Sequence, residues 1–170
     1  MQIKFHAIKL FLVVLLLSMG MANRANAQVQ VDMDPPFNAT KGGIYLPASP
    51  GDILIYIARV TNTAAGNLVA SKYYNNIPAG TTYVTGSTSL NGMSIPDVNG
   101  SMPFTGWGGY VNSINNTTGV ISPGAFAKVS YSVRVIASAG DISNNATADV
   151  TLNGVSYIRN SNTVITPTAP

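Results

Sequence analysis

The sequence predicts an all-β protein, folded as an antiparallel β-sandwich of about seven to nine strands. Short segments rich in branched and aromatic residues recur along the chain. Turn residues separate them at intervals of about eight to twelve residues, and no segment keeps a helical period. Two Asn-Gly pairs, at residues 91–92 and 153–154, are typical of tight hairpin turns. Together these observations predict an immunoglobulin-like arrangement.

The clearest strand is predicted over residues 52–62, between Pro50-Gly51 and the turn residues 63–66. Successive side chains of a strand point to opposite faces, so Leu54 and Tyr56 share one face while Ile53, Ile55 and Ile57 share the other. A solvated face should be polar, and three isoleucines therefore predict that something covers them. Ile53, Ile55 and Ile57 are the candidate partner face.

Two sources of cover remain open at this stage. The loop over residues 37–50, or Tyr45 within it, could lie over the isoleucines inside the same chain. Alternatively, a second copy could cover them by adding a strand, with residues 28–33 or 162–166 as the donated segment.

The other strands are predicted in order along the chain. A first strand over residues 28–33 ends at Pro35-Pro36, and a third strand covers residues 68–74. A long strand over residues 127–136 alternates cleanly between apolar and polar side chains, which indicates one buried and one solvated face. Residues 141–152 and 155–159 form a final hairpin, and residues 161–165 are predicted to add an edge strand.

The first 27 residues are predicted to be a cleaved secretory signal peptide. Lys4 and Lys9 precede a short apolar run, and small residues lead to a cleavage site between Ala27 and Gln28. The predicted organisation is a signal peptide over residues 1–27, one sandwich domain over residues 28–166 and a tail over residues 167–170. We therefore expect a secreted, cell-surface or periplasmic protein that does not insert into the membrane after cleavage.

The composition after residue 27 excludes several function classes. Of nine basic residues, three lie in the signal peptide, so six basic residues balance six aspartates. Nucleic-acid binding is not expected, because it needs a positive field. The only histidine is His6, and the sequence contains neither Cys nor Glu. We predict no enzyme, no catalytic residues, no metal site and no cofactor, since nucleophilic and zinc sites need such side chains.

An aromatic segment between the hairpins is the candidate ligand site. Phe104, Trp107 and Tyr110 lie among glycines and are followed by a polar stretch. Exposed aromatic rings beside amide and hydroxyl groups can stack on sugars, so these residues form a candidate glycan loop. The alternative interpretation is that Trp107 packs on the end of the sandwich and holds the loop.

Lysines in such domains raise one further chemical possibility. A lysine can form an amide cross-link with an asparagine that lies beside an acid. Lys41, Lys72 and Lys128 are the available lysines, and their alternative interpretation is solvated strand ends.

Several motifs resemble a bacterial surface-protein repeat, the conserved family known as domain of unknown function eleven. They are Pro50-Gly-Asp52 leading to Val60-Thr-Asn-Thr63, Ile77-Pro-Ala-Gly80 leading to Tyr83, Ser122-Pro-Gly124 before the long strand, and Asn144-Asn-Ala-Thr147. The resemblance implies an immunoglobulin-like module from an exported surface protein, without catalytic residues. The chain departs from the family at Ile53, Ile55 and Ile57, where threonine is usual, in the longer aromatic loop and in holding a single copy.

These observations predict an exported, non-catalytic structural or adhesive surface domain that associates with itself or another protein through the isoleucine face. A carbohydrate-binding module that uses the aromatic loop is the alternative. The expected partners are a protein or a second copy at the cell surface, with a glycan as the alternative ligand.

Overall fold

A computed structural model describes residues 28–138 and 140–169, so the predicted signal peptide and its cleavage site at Ala27 lie outside the described residues. The described part of the chain is built from strands. They are β1 (Val29–Met33), β2 (Phe37–Asn38), β3 (Gly43–Ile44), β4 (Ile53–Asn62), β5 (Val69–Asn75), β6 (Thr81–Tyr83), β7 (Ser89–Leu90), β8 (Met93–Ser94), β9 (Gly109–Tyr110), β10 (Phe126–Val135), β11 (Asp141–Asn144), β12 (Ala146–Leu152), β13 (Val155–Asn160) and β14 (Val164–Pro167).

The strands form two main sheets around one core. The larger sheet has the order β3-β2-β4-β10-β7-β8, with β1 also paired to β4 and β6 to β10. The smaller sheet has the order β13-β12-β5-β9, and β11 pairs with β14. The pairs between these strands are antiparallel. This confirms the predicted all-β, antiparallel, immunoglobulin-like sandwich.

Strands β4 and β10 form the centre of the larger sheet. They pair from Phe126 opposite Thr61 to Arg134 opposite Ile53. Every second side chain of each strand is buried, as the alternation predicted. The rings of Tyr56 and Tyr131 stack inside the sandwich with centroids 5.5 Å apart. Because large aromatic rings remove much apolar surface from water, this pair is a major source of stability.

The two predicted Asn-Gly turns are confirmed. Asn91 and Gly92 have φ angles of 53° and 85° and connect β7 to β8, while Asn153 and Gly154 have φ angles of 50° and 80° and connect β12 to β13. Positive φ at both central residues is the geometry that matches the twist of a two-residue hairpin.

The predicted loop over residues 37–50 contains two short strands. β2 pairs with β4, with Phe37 opposite Ile55, and β3 pairs with β2, with Ile44 opposite Phe37. This hairpin therefore widens the larger sheet. At the other end of the chain, β14 reaches Pro167, one residue into the predicted tail, and Ala48 forms a bridge with Thr168.

Candidate functional site

The three predicted partner-face residues lie on the outer side of the larger sheet. Ile53, Ile55 and Ile57 are half-buried. Ile55 lies opposite Phe37, which is 39% exposed and lies in turn opposite Ile44, which is 49% exposed. Directly opposite residues share a sheet face, so the group forms one continuous apolar surface across three strands. We call this surface the apolar row: Ile44, Phe37, Ile53, Ile55 and Ile57.

Within the described residues, the loop over residues 37–50 does not bury the apolar row, since Phe37 and Ile44 stay exposed and the isoleucines half-buried. The hairpin of β2 and β3 lies beside β4 in the sheet, since its residues pair with β4 through the backbone. Tyr45 is 74% exposed and lines a cleft with Pro35 and Val164. The loop contributes Phe37 and Ile44 to the apolar surface, which enlarges it.

The two segments predicted as donated strands are both paired within the chain. Residues 29–33 form β1, which pairs with β4 from Val29 opposite Asn62 to Met33 opposite Ala58. Residues 164–167 form β14, which pairs with β11. Donation of either strand to a second copy would therefore break these pairs.

The predicted glycan loop does not form a single exposed aromatic platform. Phe104 is only 2% exposed and packs edge-on against Tyr73, with ring centroids 5.3 Å apart. Trp107 is 92% exposed, so it does not hold the loop by packing. Tyr110 is 51% exposed, and the Lys72 ammonium lies 5.3 Å from its ring centroid. Phe104 is a core residue, which corrects its assignment to the loop surface.

The loop is held instead by a close approach of its backbone to β5. Gly108 has a φ angle of 68°, and a Cβ atom built there would lie 2.5 Å from Tyr74 Cδ1 and 2.6 Å from the Tyr73 carbonyl oxygen. Both values are below any normal contact distance, so only glycine fits. Gly106, two residues before Gly108 in the sequence, lines a cleft beside the loop. Trp107 thus projects from a turn that Gly108 fixes on one side and that borders the cleft at Gly106 on the other.

This cleft has a volume of about 280 Å³, and four of its eleven described lining residues are asparagines. Two consecutive asparagine pairs, Asn75-Asn76 and Asn144-Asn145, lie in its lining together with Tyr74. None of the described residues that line it is charged. We call it the asparagine cleft. A second depression shares Tyr74 and Thr147 with it and continues across the sheet to Ile158.

The floor of the asparagine cleft belongs to a buried hydrogen-bond network. Tyr131 Oη donates to Asn75 Oδ1 at 2.8 Å, and Asn144 Nδ2 donates to Tyr131 Oη at 2.7 Å. Asn75 Nδ2 donates to Tyr73 Oη at 3.2 Å. Burial raises the pKa of Tyr73 and Tyr131 far above the ordinary tyrosine value. These four side chains therefore stay neutral and hold one another in place.

Sequence analysis did not identify the asparagine cleft. Asn144-Asn145 was noted only within a family-like motif, and Asn75-Asn76 was not noted. The signal was available in the repetition of an Asn-Asn pair at two strand ends. Alternation across a strand end sends one amide inward and the next outward, which is what both pairs do here.

A third cluster combines a lysine, an asparagine and an aspartate near the start of β4. Asp52 is 6% exposed and accepts hydrogen bonds from Asn38 Nδ2 and the Ser49 backbone, both at 2.9 Å. Lys41 Nζ lies 3.2 Å from Asp52 Oδ2. Burial raises the pKa of Asp52, but these hydrogen bonds and the lysine charge lower it more. The charged form of Asp52 is thus favoured, and its ion pair with Lys41 anchors the β2–β3 hairpin.

The described residues contain neither a cluster of metal ligands nor a helix that could span a membrane. Within residues 28–138 and 140–169, no three His, Cys, Asp or Glu side chains cluster as metal ligands would. The same part of the chain contains no helix with the length and apolar character of a membrane span.

Comparison with solved structures identifies proteins with a similar fold. No protein-family model and no curated protein matches the sequence. The full-length major pilin SpaD of Corynebacterium diphtheriae is 11% identical with a TM-score of 0.51; the match covers 82% of this chain and 35% of the pilin. The pilus backbone protein RrgB of Streptococcus pneumoniae is 15% identical with a TM-score of 0.42, over 73% of this chain and 53% of that one.

A third structure, the N-terminal domain of the Streptococcus gordonii adhesin Sgo0707, is 15% identical with a TM-score of 0.41, over 86% of this chain and 34% of that one. The present chain spans about a third of the pilin SpaD. At these identities the likeness shows the fold alone. The chain is an immunoglobulin-like β-sandwich similar to a module of that pilin.

Proposed function

We propose that this chain is a non-catalytic structural or adhesive module of the cell surface, and that it associates with a second copy through the apolar row. The observation that carries the proposal is the exposure of Phe37 and Ile44 beside the half-buried Ile55. Three strands contribute these side chains to one face. A continuous apolar surface of this kind marks an interaction site more often than isolated exposed apolar residues do.

The neighbouring strand allows a close approach of a second sheet. On β10, Ser132 lies opposite Ile55 and Ser130 lies opposite Ile57. Because serine is small, these two side chains project less from the sheet than the isoleucines opposite them. Two larger sheets related by a twofold axis would pack row against row, which is the self-complementary geometry of most homodimers.

Burial of the apolar row in a dimer provides favourable free energy for association. Complete burial of one isoleucine or phenylalanine contributes roughly 1.5 to 3 kcal/mol. The residues of the row are already partly covered in the single chain, so each contributes only part of this amount. Several such contributions are needed to offset the entropy lost on association.

Other observations support the surface role. Export rests on the predicted signal peptide over residues 1–27 and on the resemblance to surface-protein repeats. The non-catalytic role rests on the absence of His, Cys and Glu after residue 27. The solved structure with a TM-score of 0.51 is a major pilin, and a pilin module is a precedent for this fold in an assembled surface structure.

The test is the molar mass of residues 28–170, measured by light scattering after size exclusion over a range of protein concentrations. We expect the unmodified protein to form dimers or larger assemblies and Ile55→Thr to shift it to the monomer. Threonine suits a strand, so the variant should keep its fold, which circular dichroism will check.

The matched control is Ile158→Thr, the same change on the smaller sheet, where Ile158 is 65% exposed. It should leave the molar mass distribution unchanged. A monomer at all concentrations, or equal loss of assembly in both variants, would exclude the apolar row as the contact.

A further inference from the structure

We propose that the asparagine cleft, together with the exposed Trp107 and Tyr74, binds a neutral oligosaccharide. This goes beyond the proposed function, because the cleft belongs to the smaller sheet and does not depend on contact through the apolar row. The inference also differs from the predicted aromatic loop. The proposed site does not include the buried Phe104. Its main polar groups are asparagine amides, which were not part of the predicted aromatic loop.

The walls of the cleft carry polar groups without internal partners. The side chains of Asn76 and Asn145 are exposed, and neither makes a hydrogen bond within the described residues. The hydroxyl groups of Tyr74 and Ser143 are likewise unpaired in that part of the chain. Each amide offers two donors and one acceptor, and a hydroxyl offers both functions. This combination matches the mixed donor and acceptor groups of sugar hydroxyls.

The floor of the cleft is rigid. Asn75 and Asn144 are buried and fixed by hydrogen bonds to Tyr131 at 2.8 and 2.7 Å. Each is directly followed by one of the free asparagines, so the network fixes the backbone that carries Asn76 and Asn145. A preorganised site loses less entropy on binding than a flexible one.

One aromatic ring, that of Tyr74, lines the cleft, and Trp107 directly follows a lining residue in the sequence. Tyr74 lines both the cleft and the adjacent depression, and Gly108 packs against its ring. Trp107 lies between Gly106, which lines the cleft, and Gly108. An indole that is 92% exposed gains little from burial within its own chain, whereas it can stack on the apolar face of a sugar ring.

The charge and the size of the asparagine cleft indicate which class of ligand it binds. Among the described lining residues of the cleft none is charged, so it offers no cationic side chain to pair with a phosphate, a sulfate or a carboxylate. Its volume of about 280 Å³ lies near the lower end for small-molecule sites. The second depression, also of about 280 Å³, shares Tyr74 and Thr147 with the cleft and is also lined by Asp149, whose carboxylate disfavours acidic sugars. A chain of sugar units can occupy both depressions, which favours an oligosaccharide over a monosaccharide.

The test begins with residues 28–170 on an array of neutral and acidic glycans. Hits are then titrated by tryptophan emission, because Trp107 is the only tryptophan of the chain and reports on this loop alone. We expect saturable binding of neutral glycans with a change in emission. Asn76→Ala and Asn145→Ala should each weaken it about tenfold, since each loses hydrogen bonds to the ligand. Trp107→Ala, measured by calorimetry, should abolish it.

The matched control is Asn67→Ala, which removes an exposed amide near the opposite end of β5 and should not change the affinity. Four results would overturn the proposal: no glycan bound on the array, a preference for acidic glycans, unchanged affinity in both asparagine variants, or unchanged binding by Trp107→Ala. Self-association is measured separately by light scattering, so failure of one proposal leaves the other intact.

Discussion

The two asparagine pairs of the cleft provide a comparison within one molecule. Asn75 and Asn144 are buried and hydrogen-bonded to the same hydroxyl, that of Tyr131. Their immediate neighbours, Asn76 and Asn145, have the same side chain but are exposed, and they make no hydrogen bond within the described residues. The difference comes only from the side of the backbone on which each amide lies.

The comparison shows how the same chemical group can have two roles. A buried amide must be paired, because an unpaired one keeps the cost of losing its water. The inner amides therefore stabilise the fold, and the outer ones remain available for a ligand. Substitutions at the four positions should separate stability from binding.

The largest expected effect is that of Asn75→Ala. This substitution leaves the hydroxyl groups of Tyr131 and Tyr73 each without one buried partner. We expect the free energy of unfolding to fall by about 3 kcal/mol, measured by urea denaturation. Asn76→Ala is the control and should change it by less than about 0.5 kcal/mol. Equal effects at the two positions would contradict the difference described here.

We expect the free energy of unfolding to fall at high pH, because buried tyrosines then ionise. Burial raises the pKa of Tyr56 to about 12 from an ordinary value of 10.0. The folded state therefore holds this proton more tightly, and its contribution to stability is complete below pH 10 and is lost as the pH rises to about 12. A shift of this size corresponds to about 2 to 3 kcal/mol.

Thermal unfolding at a series of alkaline pH values, with tyrosinate absorbance as the titration signal, measures this loss. Tyr56→Phe should reduce the slope of stability against pH between about pH 10 and 12. An unchanged slope would show that Tyr56 does not titrate in this range in the folded protein.

A smaller effect is expected from substitution of Asp52, the hydrogen-bond partner of another buried asparagine, Asn38. Its amide donates to Asp52, whose pKa is lowered because hydrogen bonds and Lys41 outweigh the effect of burial. The stability from Asp52 is present above its ordinary pKa of 3.8 and is lost as the pH falls through its lower folded value. Asp52→Asn should therefore reduce stability by about 1 kcal/mol at neutral pH and flatten the acid limb of the curve. Chemical denaturation between neutral and acid pH measures both.

The smallest expected change is that of Asn145→Ala on stability. Because the amide is exposed and makes no hydrogen bond within the described residues, the melting temperature should stay within about 2 °C of the unmodified protein. Differential scanning calorimetry checks this. A larger loss would mean that Asn145 shapes the chain between β11 and β12, and that its amide is not held free for a ligand.

The regular parts of the fold were predictable from local pattern. Alternation in β4 and β10 placed Tyr56 and Tyr131 on buried faces, and the Asn-Gly pairs located two hairpins. Local pattern did not predict that Phe37 would pair with Ile55, because that pairing depends on a strand on the far side of the loop. The burial of Phe104 depends in the same way on its contact with Tyr73.

The position of Trp107 determines how unfolding of this protein can be observed. Its indole is 92% exposed in the folded state and will be solvated when the chain is unfolded, so the emission spectrum should hardly change during denaturation. The stacked Tyr56 and Tyr131 lie in the core and lose a fixed asymmetric environment on unfolding. Near-ultraviolet circular dichroism of the tyrosines should therefore follow the fold, while tryptophan emission follows only the loop.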